Sequence, residues 1–105
     1  MKIIILDKIL FSENILGITI FPFVFMKKGK DTLTVINHES IHIKQQIELL
    51  VIPFYILYFL FWLFNVIKNS DDPYRNIPFE KESYENENDM EYLNKRKLFS
   101  WIKYI

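Results

Sequence analysis

Apolar positions along the chain fall into segments of different period. Residues 15–26, ILGITIFPFVFM, are apolar and β-branched, contain Gly17 and Pro22, and lie between Glu13-Asn14 and Lys27-Lys28. Twelve residues cannot span a bilayer as a helix, so strands are predicted, with Pro22 at an edge or a bulge. Lys28-Gly29-Lys30-Asp31 reads as a turn, and Thr32-Leu33-Thr34-Val35-Ile36 alternates, which predicts a hairpin over residues 24–36 within a strand region at 15–36. A helix follows over residues 37–48, with Asn37 as its expected cap. Residues 49–67 then carry no charge over 19 positions, which is transmembrane length. Pro53 is expected to kink or split that stretch, and Tyr55, Tyr58 and Trp62 suit a membrane interface. Beyond a polar loop at 68–76, residues 77–105 read as helical. One helix starts just after Pro78, and residues 90–105 form a basic amphipathic helix able to cover the domain or lie on anionic lipid.

The predicted class is α+β: an N-terminal β-hairpin or small sheet, a long helix continuing into an apolar kinked helix, and one or two C-terminal helices. At 105 residues this is a single minimal domain. Acidic and basic residues balance at 13 each, so no overall charge argues for nucleic acid. Without cysteine, disulfides, thiolate metal sites and a cysteine nucleophile are excluded. Ten Phe, six Tyr and two Trp are more large rings than a domain of this size buries, which points to lipid or an apolar partner. The opening apolar run stops at Asp7-Lys8, too soon for a cleaved signal peptide.

Both histidines lie in the 37–48 helix, within His38-Glu39-Ser40-Ile41-His42, an H-E-x-x-H pattern. Residues four apart stack on one helix face, so both rings can address one small cation. Glu39, rotated about 100° around the axis, stands where a carboxylate takes a proton from a metal-bound water without being a ligand. Catalytic zinc takes three protein ligands and an open position. No further histidine is present, so the third ligand is a carboxylate, with Glu48 and the acidic helix after Pro78 as candidates. The bland account of Glu80, Glu82, Glu85 and Glu87 is solvated charge favourable to a helix N-terminus. Gln45, one turn after His42, is a candidate to orient a ligand or polarise a carbonyl.

These motifs resemble the gluzincins, in which an H-E-x-x-H helix is joined by a glutamate from a later helix; the nearest forms are the CAAX-protease and HtpX-like membrane peptidases and the small minigluzincins. In the membrane forms the third ligand is the first glutamate of an E-x-x-A-D-like motif beyond an apolar insertion. Phe79-Glu80-Lys81-Glu82-Ser83-Tyr84 matches with Glu80 as the ligand, Ser83 at the alanine position and Tyr84 at the aspartate position. Glu82 is the fallback ligand. Tyr84, a turn beyond Glu80, is a candidate hydrogen-bond donor to an oxyanion, or else a packed tyrosine. The chain also resembles uncharacterised small bacterial proteins with H-E-x-x-H-x-x-Q-Q and F-E-x-E-x-Y stretches. The resemblance implies Zn2+ held by His38, His42 and Glu80, Glu39 as general base, and a peptide or protein substrate, commonly held against an edge strand near the metal.

Topology sets a condition on that expectation. A single crossing by residues 49–67 puts His38 and His42 about 30 Å from Glu80, on opposite sides of the hydrocarbon. A shared metal requires the stretch to turn back or to stay at the surface. The expected function is zinc-dependent peptide hydrolysis at or near a membrane, with lysines around the apolar segments favouring a cytoplasmic membrane face. The rival from another class is a noncatalytic small subunit whose aromatic helix docks into a membrane-protein complex.

Overall fold

Alternation decides the first layer. In the computed structural model, which describes residues 2–6, 17–29 and 32–105, β1 (Lys2–Leu6), β2 (Gly17–Ile20) and β3 (Phe23–Lys27) form a sheet in the order β1-β3-β2. β1 runs parallel to β3 from Lys2↔Phe23 to Leu6↔Lys27, and β2 runs antiparallel from Gly17↔Met26 to Ile20↔Phe23. Period two turns Val24 and Met26 inward, where they pack with Ile43, Val35 and Ile36 of the helix that follows. The Asp7-Lys8 stop, the Glu13-Asn14 flank, residues 15 and 16, and the Lys30-Asp31 half of the expected turn lie outside the described residues.

The hairpin is not the one expected over residues 24–36. It joins β2 to β3 through Phe21-Pro22, a cis peptide, so Pro22 sits in the turn. Residues 33–36 instead open α1 (Leu33–Glu48), because Thr32 Oγ1 accepts from Val35 N–H and starts the helix. Period 3.6 then places Val35 and Ile36 on the same core as Ile43, and tertiary packing overrides the β propensity of the segment. Asn37, the expected cap, is a buried interior residue whose amide donates to the carbonyls of Asn86, Glu87 and Asp89.

The predicted apolar kinked helix is a separate helix, α2 (Ile52–Ile67), bent by 112° from α1. The break precedes Pro53, which occupies the first turn of α2, where its missing N–H is unneeded. Leu50 and Val51 take φ of 61° and 65°, and Ile52 N–H donates to Leu50 C=O, giving a strained γ-turn centred on Val51. Among the described residues, no single helix is long and apolar enough to cross a membrane. The turn returns the chain so that α3 (Pro78–Asn86) packs against α1. Phe79 anchors α3 in a second core with Phe54, Ile77 and Trp101. Burial of such a ring contributes about 1.5–3 kcal/mol.

Residues 90–105 do not form one helix. They divide into α4 (Tyr92–Lys95), an extended step at Arg96, and a 3-10 turn at Ser100–Tyr104 entered through a left-handed Phe99. Arg96 leaves the helix to reach buried carboxylates, and its backbone follows its guanidinium.

Candidate metal centre

His38 and His42 stand one turn apart on the face of α1 turned toward α3, with ring centroids 4.9 Å apart in an edge arrangement. Glu80, in the first turn of α3, brings Oε1 to 3.1 Å from each Nε2. All three side chains are buried, and their ligand atoms lie within 4.8 Å of one another. The group could hold a metal ion. Zinc bonds of about 2.0–2.2 Å in a tetrahedron place ligand atoms about 3.3 Å apart, so the donor set suits such an ion with little adjustment.

The outer nitrogens fix how the rings are presented. His38 Nδ1 lies 2.6 Å from Glu87 Oε2, and His42 Nδ1 lies 2.7 Å from Gln45 Oε1. Both partners are acceptors, so each Nδ1 carries the proton and each Nε2 faces Glu80. Ser83 Oγ donates to His38 C=O, joining α3 to the backbone of the metal-site helix. Burial lowers the His42 pKa, but the Glu80 and then the Glu39 carboxylates outweigh it and push the ring up to about 9. Burial works to raise Glu80, yet His42 and His38 hold it well below the usual carboxylate range.

Glu39, one residue on from His38, projects toward β2 into a cavity of about 230 Å³ that His42, Glu80, Gly17 and Thr19 also line. Thr19 Oγ1 donates to Glu39 Oε2, which holds the carboxylate at the cavity wall. The opposite wall is aromatic, formed by Phe54, Tyr55, Tyr58 and Tyr74. Among the described residues β2 is an edge strand of the sheet, and its outer side borders this space. Gln46 imitates a neighbouring strand there: its amide donates to Thr19 C=O and accepts from Phe21 N–H. Residues two apart along a strand point their polar groups the same way, so Gly17 turns its N–H and C=O to that same outer side.

No family model, curated protein or solved structure matches the chain. His38, His42, Glu80 and Glu39 come together as described. Glu48 and Glu82, the other candidate ligands, face away and share the Arg96 guanidinium. Gln45 is fully buried and its Oε1 meets His42 Nδ1, the ligand-orienting one of its two candidate roles. Tyr84 packs its ring against His38 with centroids 4.5 Å apart, and its hydroxyl meets that of Tyr74 at 3.4 Å. Its position brings no carboxylate to the site, and Glu87 supplies one instead. Tyr58 hydrogen-bonds a candidate ligand, donating to Glu80 Oε2 at 2.6 Å. The spacing of Glu87, seven residues after Glu80 and on the same helical side, held a signal for its role. Thr19 and Tyr58 held none, because only folding brings them to Glu39 and Glu80.

Proposed function

We propose that the chain is a zinc-dependent hydrolase of peptide bonds. The observation that carries this reading is the convergence of three buried ligand atoms from His38, His42 and Glu80 beside a cavity into which a non-ligand carboxylate, Glu39, projects. Zinc held by these residues supplies a Lewis acid that lowers the pKa of water and polarises a carbonyl. Glu39 Oε2, kept in place by Thr19, accepts the proton of the attacking water and delivers it to the leaving amine. The outer edge of β2 offers main-chain pairing at Gly17, which suits an extended peptide of unrestricted sequence. Tyr58 steadies Glu80 and the aromatic wall excludes water from the reacting groups.

The site of action in this reading is a membrane surface. Ile52, Ile56, Phe59, Leu60, Phe64 and Ile67 of α2 are all more than half exposed, and α2 has no polar face toward solvent. Sixteen residues reach about 24 Å, short of the roughly 30 Å hydrocarbon thickness, so α2 lies in the interface.

Metal analysis of purified protein tests the centre. Near-stoichiometric zinc that is lost in His38→Ala supports it, folded protein that takes up no metal refutes it, and folded protein that holds iron instead refutes zinc as its metal. Catalysis is tested by Glu39→Gln, which retains zinc and abolishes cleavage of a quenched fluorescent peptide mixture. Cleavage persisting in that variant rejects Glu39 as the base, and zinc binding without cleavage in the unaltered chain leaves the rival role as a noncatalytic subunit.

A further inference from the structure

We propose that Arg96, far from the metal ligands in sequence, is a positioning residue for the metal centre, acting through Glu82 and Gln45 to fix the proton on His42 Nδ1. The proposal rests on the reading of His38, His42 and Glu80 as metal ligands. Arg96, at the extended step of the C-terminal strap formed by residues 92–105, buries its guanidinium between two carboxylates. Nε and Nη2 donate to Glu82, the latter at 3.1 Å, while Nη1 and Nη2 donate to Glu48 at 2.8 and 3.0 Å. The side chains of Arg96 and Glu48 are 4% exposed and that of Glu82 is 0% exposed. Tyr92 adds a hydroxyl donor to Glu82 at 2.6 Å, and Phe99 N–H donates to Glu48 at 2.7 Å.

Glu82 does more than tie α3 to the strap. Its Oε1 accepts from Gln45 Nε2 at 2.9 Å, and the same nitrogen donates to Phe79 C=O at 3.0 Å. Two acceptors therefore face one end of the Gln45 amide. A flipped amide sets its oxygen against both of them, so the nitrogen stays there and Oε1 faces His42 Nδ1 at 2.7 Å. An oxygen in that place demands a proton on Nδ1 and leaves Nε2 free for a metal. Without an ordered carboxylate at Glu82, one of the two anchors of the amide is lost. The flipped form then presents N–H to Nδ1 and drives the proton to Nε2, the wrong nitrogen for a ligand. A guanidinium fork suits this task because it orders both oxygens of Glu82 at once. His38 supplies an internal control, since its Nδ1 is held by Glu87, which has no contact with Arg96 among the described residues.

The test uses the full chain titrated with zinc chloride. The variant Arg96→Gln/Glu48→Gln removes one cation and one anion together, so the buried site gains no additional net charge. Zinc affinity, read by competition with a chromophoric chelator, is expected to fall about 10-fold, within the range seen for changes behind a metal ligand. In ring-labelled ¹⁵N spectra of the zinc-loaded protein, the His42 Nδ1 proton is expected to exchange with water at least about 10-fold faster, with that of His38 unchanged. Equal acceleration at both rings, or no change in affinity and exchange, overturns the proposal. Should the double variant fail to fold, Tyr92→Phe keeps the volume and removes one donor from Glu82. It is expected to give the same His42-only signature at about 2–5-fold, and an unaltered His42 proton in it overturns the proposal. Failure of the unaltered chain to bind zinc overturns the metal-centre reading together with this one, whereas zinc binding indifferent to these variants overturns this one alone.

Discussion

Proton and metal compete for His42, and the competition has a calculable size. The ring is buried beside the Glu80 and Glu39 carboxylates and is pushed up to about 9, so at pH 7 it carries protons on both nitrogens when no metal is bound. Metal binding must displace the Nε2 proton. From pH 7 to the pKa of about 9, each unit therefore raises apparent zinc affinity about tenfold, about 100-fold in all, or about 2.7 kcal/mol at 1.36 kcal/mol per unit. Above that the His42 contribution levels off. Metal-free stability moves in the opposite sense. A raised histidine stabilises the fold fully below its unfolded value of 6.5 and loses that contribution as pH rises to about 9. The depressed Glu80 carboxylate stabilises it above its ordinary value of 4.5 and loses that contribution as pH falls below it. Chelator-treated protein is thus expected to melt higher at pH 6.5 than at pH 9, while zinc adds most stabilisation at pH 9. Calorimetry at both pH values, with chelator competition in matched buffers, reads both effects. An affinity that does not change between pH 7 and 9 refutes the placement of His42 between two carboxylates.

Three further outcomes follow from single contacts. A Cβ at Gly17 meets Glu39 Oε1 at 3.0 Å and Cγ and Cδ at 3.3 Å, so Gly17→Ala is expected to displace the base by a few tenths of an ångström. Peptide cleavage should drop about tenfold with zinc content and melting temperature preserved, and full activity in this variant removes Glu39 from the mechanism. Val51→Gly relieves a left-handed β-branched residue at a cost of about 1–3 kcal/mol, offset by about 0.5–1 kcal/mol of glycine entropy, so Tm should rise by about 4 °C. A lowered Tm in calorimetry contradicts the strained turn. Ile56→Lys/Phe59→Lys places charge on the exposed face of α2 and should reduce co-flotation with phosphatidylcholine–phosphatidylglycerol vesicles about tenfold or more; an unaltered chain that stays with the lipid-free fraction refutes the interfacial placement.

The sequence by itself determined the class of the fold, the pairing of His38 with His42, and the existence of an apolar stretch between them and Glu80. Those features depend on local period and residue type, which a chain carries wherever it goes. It also carried a false signal at residues 32–36, where β-branched alternation belongs to the first turns of α1 because Thr32 caps the helix and the sheet needs Val35 and Ile36 against it. Tertiary structure decided the rest. Whether Glu80 meets the histidines depends on the 112° bend at Leu50 and Val51, residues whose side chains do not favour positive φ and whose turn is closed by backbone hydrogen bonds from Val51 N–H to Gln46 C=O and from Ile52 N–H to Leu50 C=O. Thr19 on Glu39, Tyr58 on Glu80 and Arg96 on Glu48 are long-range contacts, set by how the strand, the returning helix and the C-terminal segment close around α1. No spacing along the chain encodes them, since each partner arrives from an element whose direction is fixed only when the core is packed.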